Sequence, residues 1–152
     1  MNQQVKSELT RQLIIEKAFE LFYENGFKTT SVDKIMKLTS LSKGAFYHHY
    51  KSKKELGVEV ISLKIHKRVL NSMVLPLKEP GNAFQILEQV FAKRLSEFPF
   101  YDKQQGCPLN NLINEIGNSE EVYQNALKQI IEQWKAALVR LIERGKIEKS
   151  IK

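Results

Sequence analysis

Apolar positions return every three or four residues along most of this chain, and rarely every second residue. Ile14, Ala18, Leu21 and Phe22 make one such stripe, widened by Ile15 and Phe19. That spacing lies on a single face of an α-helix. Gly26 then stops the helix, and Phe27 is placed to fold back onto Phe22 in a Schellman-type ending. Between residues 30 and 56 the pattern shortens into two brief helices around a polar turn. A long stripe follows through Leu56, Val60, Leu63, Val69 and Leu70 to Leu75-Pro76. Pro80-Gly81 marks a loop, and Ala83 to Phe98 reads as a further helix ahead of Pro99. Residues 99–107 are expected to be irregular, with a short helix from Leu109 to Ile116 closed by Gly117-Asn118. Ser119 is expected to cap a last long helix carrying Val122, Leu127, Ile130, Ile131, Trp134, Leu138, Leu141 and Ile142, with Gly145 near its end. Period-two alternation of useful length is absent, so the expected fold is all-α.

The two brief helices carry the chemistry. Thr30 or Ser31 offers a hydroxyl to cap the first, and Asp33 stands where a reciprocal capping acid belongs. Val32, Ile35 and Met36 form its apolar face. Ser42 is placed to cap the second helix, and Gly44 leaves its first turn bare for close approach to a phosphate. Phe46 and Tyr50, four apart, pack inward, which leaves Lys43, Ala45, Tyr47, His48 and His49 on the outer side. Lys51, Lys53 and Lys54 follow. A helix-turn-helix places its second helix in the major groove, where phosphate contacts set register and a few side chains read base edges.

These residues resemble the TetR family of bacterial transcriptional regulators. The likeness rests on Asn25-Gly26-Phe27, Thr29-Thr30-Ser31-Val32, Ser42-Lys43-Gly44, Tyr47-His48-His49-Tyr50, and Lys53 with Leu56. It implies phosphate contacts from Thr30, Lys43, Gly44, Tyr47, His49 and Lys53, and base contacts from Ala45 and His48. Ser31, Ser42 and Lys51 complete the expected DNA-binding set. The family turn usually carries Ala-Gly, whereas this chain has Thr39-Ser40. A positive φ at Ser40 carries some strain.

The resemblance also implies two domains: a DNA-binding head over residues 1–54 and a helical effector-binding and dimerisation domain over residues 55–152. An unidentified small molecule is expected in the second, with His66, Phe84, Phe91, Phe98, Tyr101, Cys107, Tyr123 and Trp134 as lining candidates. Each aromatic also reads simply as core. Cys107, in Gly106-Cys107-Pro108, resembles the Gly-Cys segment through which some members sense electrophiles or oxidants; a lone Cys also packs as a small hydrophobe. The two further helices that build the family dimer are not found after Gly145-Lys146-Ile147. A homodimer is still expected, with the Ile130–Ile142 face as one candidate interface.

Composition narrows the alternatives. Residues 1–54 hold 10 Lys+Arg against 5 Asp+Glu, while residues 55–152 hold 14 against 12, so positive charge gathers on the helix-turn-helix end. That suits a double-stranded DNA operator as partner. Charges interrupt the first twenty residues, so no signal-peptide core is present, and no apolar run is long enough for a membrane span. One cysteine excludes an internal disulfide framework and fits the cytoplasm. Adjacent His48 and His49 diverge on a helix, so no metal site is expected; no cofactor motif or catalytic constellation appears either. The expected function is a ligand-released transcriptional repressor and not an enzyme. Non-specific DNA binding without effector control is the alternative, and a basic protein- or lipid-interaction module a more distant one.

Overall fold

The computed structural model describes residues 2–97 and 104–152. Helix α1 spans Gln3–Asn25 and buries Ile14, Ile15, Ala18 and Phe22, the stripe expected from the spacing. Gly26 ends it at φ 87°. Its N–H bonds the Phe22 carbonyl at 3.1 Å, and the Phe22 and Phe27 rings meet with centroids 4.6 Å apart. Only a residue without Cβ adopts that φ at little strain.

Helices α2 (Val32–Thr39) and α3 (Lys43–His49) follow. Helix α4 (Lys53–Val60) runs on through a π-helical segment, Ile61–His66, the short α5 (Lys67–Val69) and a second π-helical segment, Leu70–Val74. A 3₁₀ turn, Pro76–Lys78, closes this rod. Ile61, Ile65, Val69 and Met73 are buried along it, a row with four-residue spacing. An α-helix of about 3.6 residues per turn would carry such a row steadily around its axis. The wider π turns absorb the difference, so the row keeps facing the core. The sequence pattern predicts the rod but not its widened turns.

Helices α6 (Ala83–Ser96), α7 (Pro108–Ile116) and α8 (Glu121–Ile147) complete the chain, with no strand among the described residues. Helix α8 packs Leu127, Ile130, Ala137 and Leu141 against the rod and α6. One continuous core runs from Phe46 and Ile35 in the head to Leu141 at the far end. Burying a side chain such as Phe46 or Leu56 completely contributes about 1.5–3 kcal/mol.

The chain departs from the sequence pattern in two places. Ser119 does not cap the last helix; its hydroxyl donates to the Ile116 carbonyl at 2.8 Å, finishing α7 instead. Gly145 does not end α8, which continues to Ile147. A Cβ there would meet Ile151 Cδ1 at 2.6 Å and Ala83 Cβ at 3.0 Å, so this glycine serves close packing inside a helix.

Candidate nucleic-acid interface

Local side-chain oxygens build the helix-turn-helix. Ser31 Oγ accepts the Lys34 N–H at 3.2 Å and Ser42 Oγ accepts the Ala45 N–H at 3.2 Å, so each helix starts on a serine cap. Between them Ser40 adopts the left-handed region at φ 55°. Buried Thr39 supports this turn: its hydroxyl donates to the Met36 carbonyl at 2.8 Å and accepts the Leu41 N–H at 3.2 Å. The side chain at 39 thus holds a bend that Ser40 enters at some strain.

Phe46 is wholly buried and Tyr50 nearly so, their rings 5.6 Å apart, which fixes the inner face of α3. Burial pushes the Tyr50 phenol up to about 12. The outer face presents Lys43, Gly44, Tyr47 and His48 to solvent, with Ala45 half-buried beside them. Tyr47 is 61% exposed, a large aromatic left open. Ser31, Ser42 and Lys51 are exposed around this face. Lys43 Nζ lies 2.7 Å from Asp33 Oδ1, and this carboxylate raises the Lys43 pKa through its hydrogen bond and charge. His49 is half-buried, and its pKa is lowered first by burial, then by His48 and Arg11.

Two expected contacts are corrected by the structure. Thr30 is fully buried, with its hydroxyl donating to the Gly26 carbonyl at 2.8 Å and shared with Leu21 O at 3.2 Å. Lys53 also turns inward. Its ammonium donates to the carbonyls of Phe27 at 2.9 Å and Thr30 at 3.0 Å, and lies 4.6 Å from the Phe27 ring centroid. Burial lowers its pKa, opposed by the Glu115 carboxylate. Both residues brace the α1–α2 turn because the start of α4 folds against it.

Those of the expected effector residues that the structure describes stand apart from one another. Phe84 and Phe91 stand 53% and 38% exposed on the outer side of α6, because Ala83, Ile86 and Val90 take its inner side. Tyr123 is buried edge-on to Phe27, with ring centroids 5.3 Å apart, beside the head. Trp134 is half-buried on the core side of α8, its indole N–H enclosed without a hydrogen-bond partner. His66 Nε2 is 2.5 Å from Gln133 Oε1 in a groove between the rod and α8. Cys107 is exposed at the N-cap of α7. Phe98 and Tyr101 lie outside the described residues. A cavity of about 290 Å³ instead lies between the rod and α6, bordered by Asn71, Ser72, Ile86, Gln89, Val90 and Lys93. Among the described residues no aromatic lines it, so the aromatic pattern of the sequence does not point to it.

Comparison with known proteins places this geometry. The family described as bacterial regulatory proteins, tetR family, matches residues 14–60. An uncharacterised HTH-type transcriptional regulator in the lacX 3′ region of Lactococcus lactis subsp. lactis is 30% identical over 125 residues, covering 80% of this chain and 62% of that protein. The HTH-type transcriptional repressor DhaR of Mycobacterium sp. strain GP1 is 27% identical over 144 residues, covering 93% of this chain and 70% of that one. The chain thus spans a little under two thirds of the first relative's length. Reduced NemR from E. coli shares the fold at a TM-score of 0.78 and 21% identity, over 91% of this chain and 72% of that structure. Residues 14–60 of the chain thus match the tetR family of bacterial regulatory proteins, and most of its length is similar to HTH-type transcriptional regulators.

Proposed function

We propose that this protein is a sequence-specific DNA-binding transcriptional regulator, a repressor released by a small-molecule effector and acting as a cytoplasmic homodimer. The observation that carries this reading is the outer face of α3. Tyr47, His48 and Lys43 stand in solvent around bare Gly44, while Phe46 and Tyr50 lock the opposite side. Such a helix has one side free to enter a major groove and one side that fixes its angle. Ser31, Ser42, Ala45, His49 and Lys51 flank it and supply register. In this reading residues 1–54 are the DNA-binding head and residues 55–152 the effector and dimer part. The repressor assignment follows the name of DhaR.

The test is binding to DNA upstream of its own gene against a shuffled duplex near physiological salt. Preference for the native sequence with two chains per site supports the reading. Equal weak binding to both, vanishing with added salt, identifies a non-specific binder instead.

A further inference from the structure

A single acidic side chain from α7 reaches across to the head. Glu115 Oε2 accepts the Phe27 N–H at 2.7 Å, and Oε1 accepts the Lys28 N–H at 2.6 Å. The two donors are consecutive, at the turn between α1 and α2. Successive backbone N–H groups of this kind form a concavity suited to an anion. Gly26 completes it: a Cβ there would stand 3.0 Å from Glu115 Oε1, so the missing side chain leaves room for the carboxylate. On the other side of the same turn, Lys53 takes the carbonyls of Phe27 and Thr30. The turn is thus gripped by an anion at its donors and a cation at its acceptors.

The other end of α7 is tied to the head as well. Tyr23 Oη, on α1, donates to the Gly106 carbonyl at 2.6 Å, just before α7 begins. The ties at Gly106 and Glu115 lie on either side of the helix's first turns. Resisting rotation of one body against another requires at least two separated points of attachment. The turn they grip leads directly into Ser31 and α2, and so into α3.

We propose that Glu115 is a positioning residue for the DNA-reading head: its carboxylate grip on the Phe27 and Lys28 amides fixes the angle at which α3 is presented. This rests on the DNA-binding reading above. Glu115 itself does not touch DNA. Without the grip the head samples several orientations, and apparent affinity falls by the fraction still competent to bind. A tenfold loss corresponds to about a tenth of the population remaining competent.

The experiment compares the full chain with Glu115→Gln and Glu115→Ala. Glutamine keeps the shape and one acceptor but brings an NH₂ against an N–H, so its fold is the better preserved. Amide NMR shifts at Phe27 and Lys28, ¹⁵N relaxation of residues 3–50 against 121–147, and binding to the native upstream duplex are read together. Expected results are upfield movement of both amides, faster independent motion of the head, and about tenfold weaker specific binding at unchanged helix content. Unchanged amides and relaxation in the glutamine variant would overturn the proposal, as would specific affinity of the variants equal to that of a wild type that prefers its operator. If the wild type shows no preference for any DNA, the DNA-binding reading fails, while the amides and relaxation still decide whether Glu115 holds the head.

Discussion

Lys43 and Asp33 are joined across the helix-turn-helix by a 2.7 Å ion pair between α3 and the first turn of α2. Both side chains remain largely exposed. The cation at the start of α3 is therefore shared with a neighbouring anion, and on the proposed DNA-binding function a phosphate competes with Asp33 for it.

Asp33→Asn releases that competition. Affinity for any duplex is expected to rise about two- to threefold, with the slope of log K against log salt steeper by about one unit. Titrations at several salt concentrations check this. A slope identical to wild type would show that Lys43 makes no phosphate contact.

Tyr47→Ala should weaken native and shuffled duplexes alike, whereas His48→Ala should narrow the difference between them. Both side chains are exposed, so stability should move by no more than about 0.5 kcal/mol. Competition assays with single-base operator variants separate the two effects. Lost preference in the tyrosine variant alone would reverse the assigned roles.

Lys53→Met keeps the aliphatic stem and removes the donor. The Phe27 and Thr30 carbonyls lose their ammonium partner, at a cost of about 2 kcal/mol, or roughly 4–8 °C in Tm. Calorimetry measures it. A Tm equal to wild type with weakened DNA binding would return Lys53 to the phosphate-contacting role.

Gly57→Ala places a Cβ 2.6 Å from Phe27 Cε2 and 3.3 Å from Tyr123 Cε1. Overpacking against two rings costs about 1–3 kcal/mol, while alanine regains about 1 kcal/mol of helix propensity. The clash should win, because Phe27 is already held by Phe22 and Tyr123. Thermal melting should show a net loss of up to about 2 kcal/mol, and Phe27→Leu in the same chain should recover part of it.

Glu148 clasps the start of α6. Oε1 accepts the Ala83 N–H at 2.5 Å and the Ser150 hydroxyl at 2.6 Å, which hold its pKa below the ordinary glutamate value. A depressed carboxylate stabilises the fold above its unfolded pKa, and that contribution is lost as pH falls through the folded one. Melting temperature should thus fall on acidification below about pH 4.3, and Glu148→Gln should flatten part of that limb. A carboxyl NMR titration with a midpoint at or above the free value would contradict it.

What the sequence discloses here is mostly what neighbours decide. Ser42, Ser31 and Gly26 act within a few residues, and each does what its local pattern suggests. Phe46 and Tyr50 face inward for the same reason, being a turn apart on one helix. Lys53 reads as a surface group because its carbonyl partners, at Phe27 and Thr30, are brought to it only by the fold, whereas Thr30 turns onto the nearby Gly26 and Leu21 carbonyls. Glu115 carries no signal at all: its partners lie 88 and 87 positions away. Phe84 and Phe91 are turned outward by helical phase, because Ala83, Ile86 and Val90 take the inner side of α6.

Trp134 is the single tryptophan in the chain. Its indole, with the N–H enclosed, sits on α8 and not on α3, so the protein carries one built-in fluorophore outside the helix-turn-helix. Emission excited at the red edge of indole absorption reports that one environment without engineering. A small molecule that repacks the core beside α8 will shift its colour. Direct contact of DNA bases with α3 leaves no indole to quench, so any change of emission on adding operator measures a rearrangement transmitted through the fold.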